Sequence, residues 1–135
     1  MDAQTWDQLV VLHSRVEQEL AKALHREHSL GVSDYRALHR LDAAPGGELR
    51  MQDLAVLIGL TQSSVTRLVA RLEGGGLTRR DLCPDDRRGV YCVLTDRGRE
   101  RLAEAEPTYG ATLRRVFEQA AAHPLLADAV ERLTG

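Results

Sequence analysis

The sequence predicts a mainly α-helical domain carrying one small β-hairpin, and three observations predict it. Apolar residues recur at helical spacing along most of the chain, most plainly at Val65, Leu68, Val69 and Leu72. Breaks rich in Gly and Pro separate the helical segments, at Ala44-Pro-Gly-Gly47, Gly74-Gly-Gly76 and His123-Pro124. The stretch Val90-Tyr-Cys-Val-Leu94 departs from this pattern: it is β-branched and aromatic, and it follows the turn residues Pro84-Asp-Asp-Arg-Arg-Gly89.

Length and composition bound the reading. At 135 residues the chain is expected to form one domain with a real core. An apolar fraction of 43% without low-complexity runs argues against wholesale disorder. No apolar run approaches a membrane span, so no membrane partner is expected. The N-terminus lacks a basic start followed by an apolar stretch, so the expectation is a cytoplasmic protein without a secretory signal. Two cysteines, Cys83 and Cys92, do not make a disulfide framework.

Charge is unevenly spread. The net charge is −2. Residues 1–49 carry five basic and eight acidic side chains, residues 50–101 ten and seven, and residues 102–135 three and five. The positive charge therefore sits in the middle segment, and all of it there is arginine. A local positive field on an otherwise acidic body suits a specific anionic partner. Arginine's planar fork matches phosphate and guanine better than a lysine point charge does.

Residues 3–28 read as one long helix with a seam of Trp6, Leu9, His13, Val16, Leu20 and Ala23 or Leu24. Ser29-Leu-Gly31 ends it, with Gly31 a C-cap candidate. Ser33 is an N-cap candidate for a helix from Asp34 to Asp42 with Tyr35, Leu38 and Leu41 inward. A short helix is expected over Met51 to Ile58, burying Leu54, Ala55 and Ile58. Gly59 lies in the turn before the next helix, Thr61 to Glu73, and helix, glycine turn, amphipathic helix is helix-turn-helix grammar. Leu77 to Cys83 and Val90 to Leu94 form the hairpin, with an arginine-bearing tip. Thr95 is an N-cap candidate for a helix running to about Ala122, which Pro107 is placed to kink or divide. Leu125 to Leu133 reads as a last short helix.

The Thr61 to Glu73 segment has two faces. Val65, Leu68, Val69 and Leu72 make one apolar stripe. Gln62, Ser63, Thr66, Arg67 and Arg71 lie off it, short hydrogen-bonding side chains first and arginines later. Such an inventory suits a helix that touches base edges early and phosphates late.

Leu54-Ala55, Gly59-Leu60, Ser63-Ser64-Val65-Thr66, Leu72-Glu73, Gly76-Leu77, Asp85-Asp86-Arg87-Arg88 and Leu94-Thr95-Asp96-Arg97-Gly98 follow in one order at tight spacing. This pattern closely resembles the multiple-antibiotic-resistance regulator (MarR) family of winged helix-turn-helix regulators, over residues 54–102. The resemblance implies a single domain over 1–135. Residues 1–31 and 103–135 form a helical dimerisation region, and 32–102 form the winged helix-turn-helix module. It implies a homodimer on double-stranded DNA, reading an inverted repeat whose half-sites are roughly 10 bp apart. Carried over residue by residue, Gln62, Ser63, Ser64, Thr66 and Arg67 face the major groove. Arg88 reaches the minor groove, braced by Asp86, and Arg87 contacts phosphate. A narrow minor groove concentrates negative potential, and a carboxylate-held arginine is aimed there at less ordering cost. Relatives often bind small aromatic anions; here that points to Trp6, Val10, His13, Tyr35, Arg36 and His39. No cofactor is implied.

Other readings compete. Arg87 and Arg88 could be solvated hairpin charges, and Arg97, Arg99 and Arg101 an ordinary helix face with Glu100 and Glu104. The first-helix seam could be plain core. Cys83 and Cys92 could form a redox switch in the wing, although a disulfide needs Cα atoms within about 7 Å. Some relatives sense oxidants through a first-helix cysteine, which this chain lacks. His25 and His28 share a helical face, but a metal site needs further ligands from His13, His39 or His123. No glycine-rich phosphate loop or nucleophile elbow appears, so an enzyme is not expected. A winged-helix protein–protein module that ignores DNA is the remaining alternative. The expectation is a transcriptional repressor released from its operator by a small effector.

Overall fold

A computed structural model describes residues 2–82 and 89–135. The expected hairpin tip, with Cys83, Asp86, Arg87 and Arg88, lies outside the described residues. The described chain is mainly helical with a small antiparallel sheet. It divides into two compact units, one made of the residues up to Val32 together with Glu106–Gly135, the other of Ser33–Ala105. Among the described residues, no helix is long and apolar enough to cross a membrane.

The first unit contains α1 (Ala3–His28), the later part of α5 (Asp96–Ala121) and α6 (Ala127–Thr134). Asp2 caps α1 by accepting from the Thr5 N–H at 2.8 Å, and this bond holds its carboxyl below the usual carboxylate range. Leu12, Val16 and Leu20 pack with Val116, Ala120, Leu126 and Val130, flanked by Tyr109, Leu113 and Phe117. The α1 seam is thus shifted from the expected one. Leu12 is buried in place of Leu9 and His13, and Trp6 is 59% exposed. The stretch Leu9, Val10, Val11, Leu12 is apolar on every side, so spacing alone could not say which of the four faces inward. The end of α1 also differs. Ser29, not Gly31, takes the left-handed conformation, at φ 54°. Pro107 is accommodated within α5, which continues on both sides of it.

The second unit contains α2 (Val32–Ala43), β1 (Glu48–Arg50), α3 (Met51–Ile58), α4 (Gln62–Gly74), β2 (Thr78–Leu82), β3 (Val90–Leu94) and the start of α5. Helix α2 begins at Val32, so Ser33 lies inside its first turn rather than at its cap. Strand β1 is not foreseen by the sequence, since its three residues carry no alternation to read. It pairs with β3, Leu49 opposite Cys92 and Arg50 opposite Tyr91, while β2 pairs with the other edge of β3 from Thr78–Leu94 to Leu82–Val90. The wing is therefore a three-stranded sheet in the order β1-β3-β2.

The junction between α4, the wing and α5 explains two sequence motifs. Gly76, at φ 76°, reverses the chain after α4, and Leu77 donates back to the Leu72 carbonyl at 3.0 Å. Thr95 then ties this turn to the start of α5. Its N–H donates to the Leu77 carbonyl at 3.1 Å, and its hydroxyl donates to the Gly76 carbonyl at 2.7 Å. The same hydroxyl accepts from the Gly98 N–H at 3.0 Å, as the N-cap reading requires. Gly98 packs so closely that an added Cβ would lie 2.1 Å from the Leu77 carbonyl oxygen.

Cys92 points from β3 into the interior and is fully buried. Burial pushes its thiol up to about 11, with Thr78 and Arg80 pulling against that shift and Glu73 adding to it. A buried thiol that stays protonated reacts poorly with oxidants.

This packing sets two expectations. Gly98→Ala should destabilise the protein by about 3 kcal/mol or more, because backbone cannot yield as a side chain does; a urea midpoint within error of the parent would refute the clash. Native Cys92, tested in a Cys83→Ala background, should resist iodoacetamide at pH 8 and react only after denaturation. Fast alkylation of the folded protein would show that the thiol is reachable and ionised.

Candidate nucleic-acid interface

Helix α4 is positioned by one face and left open on the other. Val65, Leu68, Val69 and Leu72 are all buried, as the apolar stripe predicted. Each contributes about 1.5–3 kcal/mol of burial, which is ample to fix the helix rotation. Gln62, Ser63, Thr66, Arg67 and Arg71 are exposed and Ser64 is half-buried. The polar inventory singled out in the sequence is thus gathered on one outward side.

The start of α4 is organised by Thr61. Its Oγ1 accepts from the Ser64 N–H at 3.2 Å and lies 3.0 Å from the Ser64 hydroxyl and 3.3 Å from the Ser63 hydroxyl. Arg67 reaches back to the Ser64 hydroxyl at 3.5 Å. Thr66 donates to the Gln62 carbonyl at 2.9 Å, the usual bond of a helical threonine to the preceding turn. These contacts order the short side chains at the start of α4.

Four arginines of this unit pair with carboxylates. Arg71 pairs with Asp34 of α2, whose side chain is only 11% exposed. Arg80 pairs with Glu73 at 3.0 Å, Arg79 with Asp81 at 3.5 Å, and Arg99 with Asp42 at 3.1 Å and Asp96 at 3.6 Å. Arg99 therefore acts within its own unit, in line with the ordinary reading of that helix face. Arg50 donates from Nε to the Tyr91 hydroxyl at 3.3 Å, and its guanidinium lies 5.7 Å from the Tyr91 ring centroid. Neither Arg50 nor Arg80 stands out in the sequence, because each becomes notable only through a residue some forty or seven positions away.

Between α4 and the wing runs an open groove of about 490 Å³. Arg50, Gln52, Gln62, Thr66, Arg80 and Val90 are among its lining residues.

The residues considered for an effector fall in both units. Trp6, Val10 and His13 are exposed on α1 in the first. Tyr35, Arg36 and His39 belong to α2 in the second, where Tyr35 is buried and stacks on His39 with centroids 6.1 Å apart. His28, considered as a metal ligand, has its Nε2 2.7 Å from the Thr108 hydroxyl. Among the described residues, no cluster of three or more His, Cys, Asp or Glu could hold a metal ion.

Known proteins share this architecture. The MarR family model matches residues 28–89. A MarR family regulator of Streptomyces coelicolor, Sco3205, solved in complex with DNA, is 30% identical with a TM-score of 0.81, covering 95% of this chain and 79% of that one. AbsC, another MarR family regulator of the same organism, is also 30% identical, with a TM-score of 0.80 and coverage of 96% and 86%. An uncharacterised helix-turn-helix transcriptional regulator of Bacillus subtilis, YkoM, is 29% identical over 92 residues, which span 68% of this chain and 58% of that protein. Members of this family are transcriptional regulators, not enzymes. With its helix-turn-helix, its wing and these relatives in agreement, the chain belongs to the MarR family of winged helix-turn-helix transcriptional regulators.

Proposed function

We propose that the protein is a homodimeric, sequence-specific repressor that occupies an inverted repeat in duplex DNA. The observation that carries this reading is the outward face of α4, where Gln62, Ser63, Ser64, Thr66 and Arg67 stand opposite a fully buried stripe. Each copy places this helix in a major groove. Arg88 enters the adjacent minor groove with Asp86 as its brace, and Arg87 takes a phosphate. Arg71, already committed to Asp34, steadies α4 against α2 and offers its exposed edge to the backbone.

A second copy of the chain is the partner proposed for the first unit. Trp6, Val10, Val11 and Leu133 are exposed there. An exposed apolar surface is what an unmade interface leaves behind. The proposed effector is a small aromatic anion. On α2 the support is the stacked Tyr35–His39 pair, beside Arg36 in sequence. By linkage, such an effector must bind the DNA-incompetent dimer more tightly, or it shifts nothing.

Gel shifts with the DNA upstream of the protein's own gene test the reading. Binding should survive competitor DNA and weaken steeply with salt. Arg88→Ala should cost about 1–3 kcal/mol of DNA affinity and leave the dimer intact. A DNA-blind winged-helix module would show no retarded band at any salt concentration. Sedimentation at micromolar concentration should give a dimer; a monomer there would remove the inverted-repeat geometry. Phenolic acids that neither release DNA nor raise the melting temperature would exclude them as effectors.

A further inference from the structure

The groove between α4 and the wing brings Gln62 and Thr66, already expected at DNA, together with Arg50 and Arg80, which are not. The ridge that separates a major groove from the neighbouring minor groove is a sugar–phosphate backbone. If α4 lies in one and the wing in the other, that backbone must pass through the space between them. In this protein the space is the groove lined by Gln62 and Thr66 on the α4 side and by Arg50, Arg80 and Val90 on the sheet side. It is an open groove that carries two guanidiniums among polar and apolar side chains, whereas small-molecule pockets are mostly enclosed.

We propose that this groove is the channel for the DNA backbone, and that Arg50 and Arg80 are phosphate contacts in addition to the arginines of the wing tip. Tyr91 and Glu73 are their positioning residues. Tyr91 holds the Arg50 guanidinium by a hydrogen bond and by its ring face, and Glu73 holds Arg80 at 3.0 Å. Arg80 sits opposite Cys92 in the β2–β3 ladder, so its side chain leaves the sheet on the side facing α4. Both guanidiniums are therefore oriented before DNA arrives, which lowers the ordering cost of each contact. The inference rests on the DNA-binding reading above.

The test measures anisotropy of two labelled duplexes, the inverted repeat found by gel shift and a scrambled duplex of equal length, over a series of salt concentrations. Removing one phosphate-binding cation flattens the log–log salt slope by about 0.9, hence by about 1.8 for a dimer carrying the change twice. Arg50→Gln and Arg80→Gln should each show that flattening on both duplexes, with the ratio of the two affinities unchanged. Arg80→Lys keeps the charge and should keep the slope. Circular dichroism melts distinguish weakened phosphate binding from unfolding, and Arg80→Gln alone decides the matter should Arg50→Gln melt early. Wild-type binding together with unchanged slopes in folded Gln variants overturns the inference while leaving the DNA reading intact. A wild-type protein that binds neither duplex overturns the DNA reading, and the inference with it.

Discussion

Thr95 and Gly98 are the constraint on which the second unit depends. One hydroxyl serves both the turn after α4 and the first turn of α5, accepting from Gly98 and donating to Gly76. The absent side chain at Gly98 lets the Leu77 carbonyl come within reach of the Thr95 N–H. The exit from α4, the entry to β2 and the start of α5 are consequently fixed at one point. The wing's orientation relative to α4 is set there, through backbone.

A second theme is how the unit handles its positive charge. An unpaired arginine on a surface samples many rotamers, and each contact it makes must overcome that freedom. Here Arg71, Arg80 and Arg99 are each paired with a carboxylate on another element, and Arg50 lies against a tyrosine. The Arg71–Asp34 pair differs from the others because Asp34 is nearly buried while Arg71 is largely exposed. A buried carboxylate left without that partner would be costly, so this pair ties α4 to α2, whereas fully exposed ion pairs add little.

Much of this is legible in the chain. The α4 stripe at Val65, Leu68, Val69 and Leu72, the Thr95 cap and the two hairpin strands all follow from local rules of spacing and residue type. What escapes is non-local or locally ambiguous. Glu48-Leu-Arg50 becomes a strand because β3 offers it an edge. The choice of Leu12 over Leu9 depends on where Val116, Ala120 and Val130 lie. Ser33 is a sound cap by residue type, but the helix gains a further turn residue by starting at Val32. Arg50 and Arg80 look like any other charges until Tyr91 and Glu73 are placed beside them.

The positive charge of the second unit is built entirely from guanidinium groups. Lys22, on α1 beside Glu19, is the single lysine of the chain. Guanidinium does not lose its proton in proteins, and amine acylation cannot touch it. Metabolic acetylation, which tunes many lysine-rich surfaces, therefore has no foothold on α4 or the wing. The electrostatic attraction of that surface is thus out of reach of lysine chemistry.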